Sequence, residues 1–333
     1  MNGASHGHGR RPLIGLACLV VAGLAFMLAA AVGASPSPRS ADGAHPTGHH
    51  HAHLSPVAAV VSVAPGATRT AVPRSYLGLS TEYWALPLWS GEMPLLERTL
   101  SLVRVRGDGP LSLRVGGDSA DHALWDPAAA ADGIRLPSWA FSLAPKWLGQ
   151  ARSLVRTLGV RLILDLNLIT DTPSAAAQWA RAAKAALPPH SLEAFEIGNE
   201  PDIYSRADWL AMTAGSGLEA RLGGRQFRQT VLPAALTARD YARDVRAYAG
   251  ALDAVAPRAV LAGPALANPV HHRRWIRTLL DSARRVLGMV TIHRYPYTGC
   301  PRRRGTRSYA TIGRVLSPAA STGMADSLKP LVD

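Results

Sequence analysis

The chain is short of acid, of lysine and of cysteine. Its 333 residues carry 23 Asp and Glu against 36 Lys and Arg, a formal net charge of +13. Lys146, Lys184 and Lys329 are the only lysines, so the basic character is almost entirely arginine. Such an excess favours polyanions, whether acidic polysaccharide, nucleic acid or anionic lipid, and it equally fits a coding bias toward arginine; net charge speaks to association and not to fold. The two cysteines are Cys18, inside an apolar leader, and Cys300, and neither has a CxxC neighbour. A processed chain keeps one thiol and no internal disulfide, and a zinc or redox role has no ligand pattern to rest on. No internal repeat of fixed period is present. What remains is a composition 47% hydrophobic and 18% charged, that of a globular body, long enough for one α/β barrel of about 250 residues.

Three regions follow one another. Arg10 and Arg11 precede an uncharged run from Leu13 to Ala34 that closes on the small residues Val32, Gly33 and Ala34. Residues 1–34 therefore read as an export signal. The run is also long enough to span a bilayer, so membrane anchoring through residues 13–34 stays open. Either way the body is expected to be secreted or held on the outer face of the cytoplasmic membrane. Residues 35–55 lack apolar periodicity and read as a disordered linker rich in His, Pro and Ser. His45, His49, His50, His51 and His53 lie there, with nothing to fix a metal geometry.

From residue 56 to 333 the pattern alternates strands with amphipathic helices, as in a mostly parallel α/β sheet. Val57–Val63 is a β-branched strand. Further strands are expected at Tyr76–Ser80, Leu111–Val115, Val160–Leu166, Leu192–Ile197, Ala259–Ala262 and Val290–His293. Helices are expected at Ser138–Leu158, Ser174–Leu187, Thr237–Ala256, His272–Leu287 and Pro318–Val332. From Tyr76 onward this makes six strand-and-helix units, where a closed (β/α)8 TIM barrel has eight. The connection Asp202–Leu236 is long for a loop after a strand, and loops of that size at the C-terminal rim shape substrate clefts.

The most specific string is Phe195-Glu196-Ile197-Gly198-Asn199-Glu200-Pro201-Asp202, which closes the fourth of these strands. Barrel enzymes carry their catalytic groups at strand C-termini, so Glu200 is placed for chemistry. Desolvation by its apolar strand would suit it to protonate a glycosidic oxygen. Asn199 can hydrogen-bond a sugar 2-hydroxyl, a contact that strengthens in an oxocarbenium-like transition state. The plainer alternative for Glu200 is a cap on the next helix, and Glu196 reads as a barrel-interior residue.

Asn-Glu-Pro after a fourth barrel strand resembles the acid/base motif of the retaining (β/α)8 glycosidases. Further strings narrow the resemblance to glycoside hydrolase family 79, the heparanase and β-glucuronidase type: Tyr76-Leu77-Gly78-Leu79-Ser80-Thr81-Glu82, Leu113-Arg114-Val115-Gly116-Gly117-Asp118-Ser119-Ala120-Asp121 followed by Trp125-Asp126-Pro127, Gly263-Pro264, and Thr291-Ile292-His293-Arg294-Tyr295. The matches cover roughly residues 57–316. The resemblance implies a cofactor-free glycosidase whose partner is an acidic glycan, not nucleic acid, with Glu200 as general acid/base. It implies substrate contacts from Asn199, Glu82, Asp118, Asp121, His293 and Tyr295. For Asp118 and Asp121 the residues themselves leave two roles open, binding sugar hydroxyls or organising the Gly116-Gly117 turn. His293 has the alternative of a satisfied core histidine, and Pro301-Arg302-Arg303-Arg304 that of a solvated loop.

The sequence also departs from the family. A retaining mechanism needs a second carboxylate about 5–5.5 Å from the first, which the family places on the seventh strand. After Glu200 the only glutamate is Glu219, inside the long connection. The expectation is an incomplete barrel that stops before its seventh strand, with Val57–Val63 belonging to an otherwise missing β-sandwich and the nucleophile lying beyond Asp333. A non-catalytic carbohydrate-binding remnant is the alternative, and a surface stalk acting through its His-rich segment is a third reading.

Overall fold

In the computed structural model, residues 74, 76–104, 107, 109–127, 140–204, 236–297 and 309–332 are described. The leader, the linker, the strand at 57–63, Cys300, Glu219 and the arginine run at 302–304 lie outside the described residues, as does most of the connection from 202 to 236. The chain divides into two compact units. One comprises Arg69–Arg294 with Ser327–Asp333, the other Met1–Thr68 with Tyr295–Asp326.

The larger unit is built on a sheet of six parallel strands: β1 (Gly78–Glu82), β2 (Ser112–Gly116), β5 (Arg161–Leu166), β6 (Leu192–Ile197), β7 (Leu261–Leu266) and β8 (Met289–Ile292). Each strand pairs with the next of the set along the chain, and helices fill the intervals. This is a partial (β/α)8 barrel. Two short strands, β3 (Ala123–Trp125) and β4 (Phe141–Leu143), pair parallel to each other in a sheet of their own. The helices are α1 (Leu86–Gly91), α2 (Met93–Val103), α3 (Pro145–Leu158), α4 (Pro173–Ala186), α5 (Ala238–Asp253) and α6 (Arg273–Ala283), followed by α7 (Ile312–Val315) and α8 (Thr322–Val332).

Successive helices from α2 to α6 pack on one another, and the sequence shows why each buries one face. In α3 the buried residues are Trp147, Leu148, Ala151, Leu154, Val155 and Leu158, the spacing of a single helical stripe. Pro145 stands at its start, and Gly159 closes it in the left-handed region with φ 59°, the usual device for satisfying a last-turn carbonyl. Thr172 caps α4 by accepting the Ala175 amide, and Thr237 with Asp240 forms a reciprocal capping box on α5. Tyr83, Trp147 and Trp179 stack into one aromatic cluster, with centroids 5.3–6.2 Å apart.

Two tyrosines of α5 tie the helix layer to the C-terminal end of the sheet. The Tyr241 hydroxyl donates to the Ile197 carbonyl at 2.8 Å, and the Tyr248 hydroxyl donates to that of Asn167 at 2.7 Å. They lie seven residues apart, two turns on the same buried face. In the smaller unit, the Tyr297 hydroxyl donates to the Arg314 carbonyl at 2.7 Å and Thr311 caps α7.

The six strands expected from Tyr76 onward all form, some with shifted ends. β7 extends to Leu266, so it contains Gly263 and Pro264 where the expectation stopped at Ala262. The helix expected from Ser138 begins only at Pro145, because Phe141–Leu143 is extended and bonded to β3. The sequence reading named neither α1 nor α2. Among the described residues no helix is long and apolar enough to cross a membrane.

Candidate functional site

Arg114 on β2 points to the middle of the sheet and holds two acids. Its Nη2 donates to Asp165 Oδ2 of β5 at 2.9 Å, and its Nε donates to Glu196 Oε2 of β6. The Asp165 and Glu196 side chains are 0% and 1% exposed, and Asp165 Oδ1 and Glu196 Oε1 find no partner among the described residues. One guanidinium thus serves two buried carboxylates. Burial raises the Asp165 pKa well above the usual range, Arg114 opposes that, and the charge of Glu196 adds to it. Burial works against the charge of Arg114 in turn, but Asp165 and Glu196 outweigh it and raise its pKa. Glu196 is therefore an interior residue, as expected from the sequence.

The same Arg114 Nη2 donates to Asn199 Oδ1 at 3.0 Å, and Asn199 Nδ2 donates to Asp118 Oδ1 at 3.2 Å. Asn199 is 4% exposed. Its amide orientation is locked by a cation on one side and a carboxylate on the other. Glu200 follows in the left-handed region, φ 51° and ψ 49°, and its side chain makes no cap to the short turn Pro201–Ile203. Instead Oε1 lies 2.7 Å from His293 Nδ1, just past β8. The two side chains are 15% and 18% exposed, open enough for a ligand and close enough to share a proton.

Asp202, with a fully buried side chain, locks this turn to the exit of β7. Its Oδ1 accepts the Ala267 amide at 2.8 Å, its Oδ2 the Asn268 amide at 2.9 Å, and His272 Nδ1 lies 2.8 Å from Oδ2. The Glu200 amide adds a bond to the Ala265 carbonyl at 3.2 Å.

Glu82 ends β1, and its Oε2 accepts the Ser119 amide at 2.9 Å. Burial raises its pKa, with the Ser119 bonds opposing. Gly117 makes that approach feasible: a Cβ there would lie 2.1 Å from Glu82 Oε1, and its φ is 74°. Asp118 stands at the rim, exposed by area, yet enough protein crowds its carboxyl to raise its pKa, with the charge of Glu200 adding to the effect. Asp121 is 3% exposed. Its Oδ1 accepts the Leu168 amide at 3.1 Å, and its Oδ2 accepts the Tyr204 hydroxyl at 2.5 Å. These bonds go to the loops after β5 and β6 and not to the Gly116-Gly117 turn.

Glu82, Asp118, Asn199, Glu200 and His293 thus gather at the C-terminal end of the sheet, with Asp121 beneath them. Tyr295, 45% exposed, belongs to the other unit. Sequence reasoning assigned no role to Arg114, Asp202 or Tyr204. Arg114 lay within a quoted string, but nothing in its spacing disclosed partners on β5 and β6.

No family model and no curated protein matches the chain. Among solved structures it is similar in fold to a 4-O-α-L-rhamnosyl-β-D-glucuronidase from Fusarium oxysporum 12S, with a TM-score of 0.51 and 16% identity over 78% of this chain and 50% of that one. A family 51 α-L-arabinofuranosidase, AbfB from Bifidobacterium longum, gives a TM-score of 0.45 and 16% identity over 78% of this chain and 52% of that one. The chain spans about half the length of these structures.

Proposed function

We propose that the chain carries the acid/base side of a β-glycosidase site acting by retention on glycans that contain glucuronic acid. The observation that carries this reading is the Glu200 carboxyl, 2.7 Å from His293, at the C-terminal end of a parallel sheet and next to an Asn199 locked by Arg114 and Asp118. A general acid needs a partner that can take up or return a proton, and a neighbour that grips the sugar. Glu200 has both. The glucuronidase activity of the Fusarium protein of similar fold and the arginine-rich surface accord with an acidic sugar. Export from the cytoplasm is part of the same proposal and rests on the Leu13–Ala34 run.

The second reading is a carbohydrate-binding protein without turnover, which would use the same Asn199, Glu200 and His293. A panel of activated aryl β-glycosides, with calorimetry of methyl β-glucuronide in parallel, separates the two. Turnover of the glucuronide supports the enzyme. Binding without turnover supports the second reading, and activity confined to neutral sugars overturns the uronide assignment.

A further inference from the structure

The turn that presents Asn199 and Glu200 is supported from below by a buried relay that reaches across three loops. The Asn199 amide donates to the Tyr204 hydroxyl oxygen at 3.1 Å, and that hydroxyl donates to Asp121 Oδ2 at 2.5 Å. Asp121 Oδ1 is occupied by the Leu168 amide, and the Asp121 carbonyl accepts Thr170 Oγ1 at 2.9 Å. One aspartate therefore links the loop after β2, the loop after β5 and, through Tyr204, the loop after β6. Space is tight at the joint. A Cβ on Gly198 would lie 2.8 Å from Leu168 Cδ2 and 3.1 Å from the Tyr204 hydroxyl, and the φ of Gly198 is 74°. The turn thus lies directly on the tyrosine oxygen and has no slack to absorb its removal.

We propose that Asp121 and Tyr204 are a positioning pair: Tyr204, fixed by Asp121, holds the Asn199 amide and so sets the direction in which Asn199 and Glu200 project. Both side chains are bonded within the protein, and their effect passes through the turn. The bond polarity has one consistent arrangement while Asp121 is ionised. The carboxylate takes the tyrosine proton, which leaves the tyrosine oxygen to accept from Asn199. Protonating Asp121 sets a new O–H against one of the two donors it already faces, the Tyr204 hydroxyl or the Leu168 amide, so that bond must rearrange and the joint loosens. Burial pushes the Asp121 pKa up to about 7, against the bonds from Tyr204 and Leu168 and with help from the charge of Asp118. The change therefore falls near neutrality. The groups facing Asp121 are Asp118 on its own turn, Tyr204 from the β6 exit, Asp165 from β5 and Tyr241 from α5. Arg114 is engaged by Asp165 and Glu196, and His122 acts on Asp118.

The functional meaning of the pair rests on the glycosidase reading; the relay itself does not. The test follows the Asn199 amide signal of the isotopically labelled full chain by NMR as pH is varied. In the wild type it is expected to move with a midpoint near 7. The step should vanish in Asp121→Asn, and also in Tyr204→Phe, which removes only the linking hydroxyl and keeps the ring and Asp121. It should survive His122→Gln and His293→Gln, which exclude an imidazole as its source. A Tyr204→Phe protein that melts cooperatively yet keeps the Asn199 step overturns the proposal, as does a wild-type signal that does not respond to pH. Where an activated aryl glycoside is turned over, Tyr204→Phe should lower kcat about ten- to a hundredfold with KM nearly unchanged. Absence of turnover in the wild type would count against the glycosidase reading alone, because the amide signal still decides the relay.

Discussion

At Glu200 the backbone adopts a left-handed conformation that costs a non-glycine residue of order 1–3 kcal/mol. It persists because the surroundings fix it: Ala265 holds its amide, Asp202 locks the following turn, and Tyr204 supports the preceding residue. If Glu200 is the general acid, Glu200→Gln should slow hydrolysis of natural linkages far more than release of an acidic aryl leaving group, which needs little protonation. Equal loss on both substrates, measured side by side, would argue for a different role. Arg114 offers a prediction about stability. Arg114→Met leaves Asp165 and Glu196 buried without their cation, and removing one partner of such a group costs about 3–5 kcal/mol; urea unfolding would register it as a lower midpoint at unchanged slope. Asn199 and Glu200 were legible in the sequence because a short, unusual string ends an apolar strand. Tyr204 and Asp202 were not, because the groups they bind lie 83 and 65–70 residues away and no local spacing encodes them.

Among the elements, strands were the most legible. The central strands β5, β6 and β7 are short, mostly buried runs, and a strand of a parallel sheet buried on both faces needs little more. Helix starts were less so. The run Ser138–Leu143 is apolar enough to extend a helix backward from α3, but Phe141–Leu143 pairs with β3 instead, and tertiary pairing overrode local pattern. The caps are the checkable detail. Thr172→Ala and Thr237→Ala each remove a side-chain acceptor from a helix start and should cost about 1 kcal/mol. Thr237→Ala should cost the more, because Asp240 also loses its reciprocal partner. The loop after β2 carries a sharper constraint. In Gly117→Ala the new methyl falls on Glu82, so the Glu82 bond to the Ser119 amide should break. The expected result is a loss of melting temperature larger than that of either cap variant, read in the same thermal scan.

For the molecule as a whole, the raised carboxyls set the sign of its pH response. Glu82, Asp118, Asp121 and Asp165 all have pKa values raised in the folded state. The fold binds their protons more tightly than the unfolded chain does, so these groups favour folding at low pH and oppose it progressively as pH rises through the folded values. For Asp121 the window runs from about 4, the unfolded aspartate value, to about 7. The clean comparison is between variants. Asp121→Asn should flatten the fall in melting temperature between pH 5 and 8; an unchanged slope would mean that Asp121 is not among the groups that titrate there.

The order of the six strands carries a consequence for how the protein is made. Because each strand of the main sheet pairs with the next of that set along the chain, every pairing closes between neighbouring segments and none waits for a distant terminus. Parallel pairing across a crossover is slow to form, but a nascent chain emerging from the ribosome at about 5–20 residues per second can lay down β2 on β1, then β5 on β2, in the order of translation. Synthesis and assembly thus run in the same direction. Arrest of translation after β6 would present the growing sheet edge with Asn199 and Glu200 already at its end.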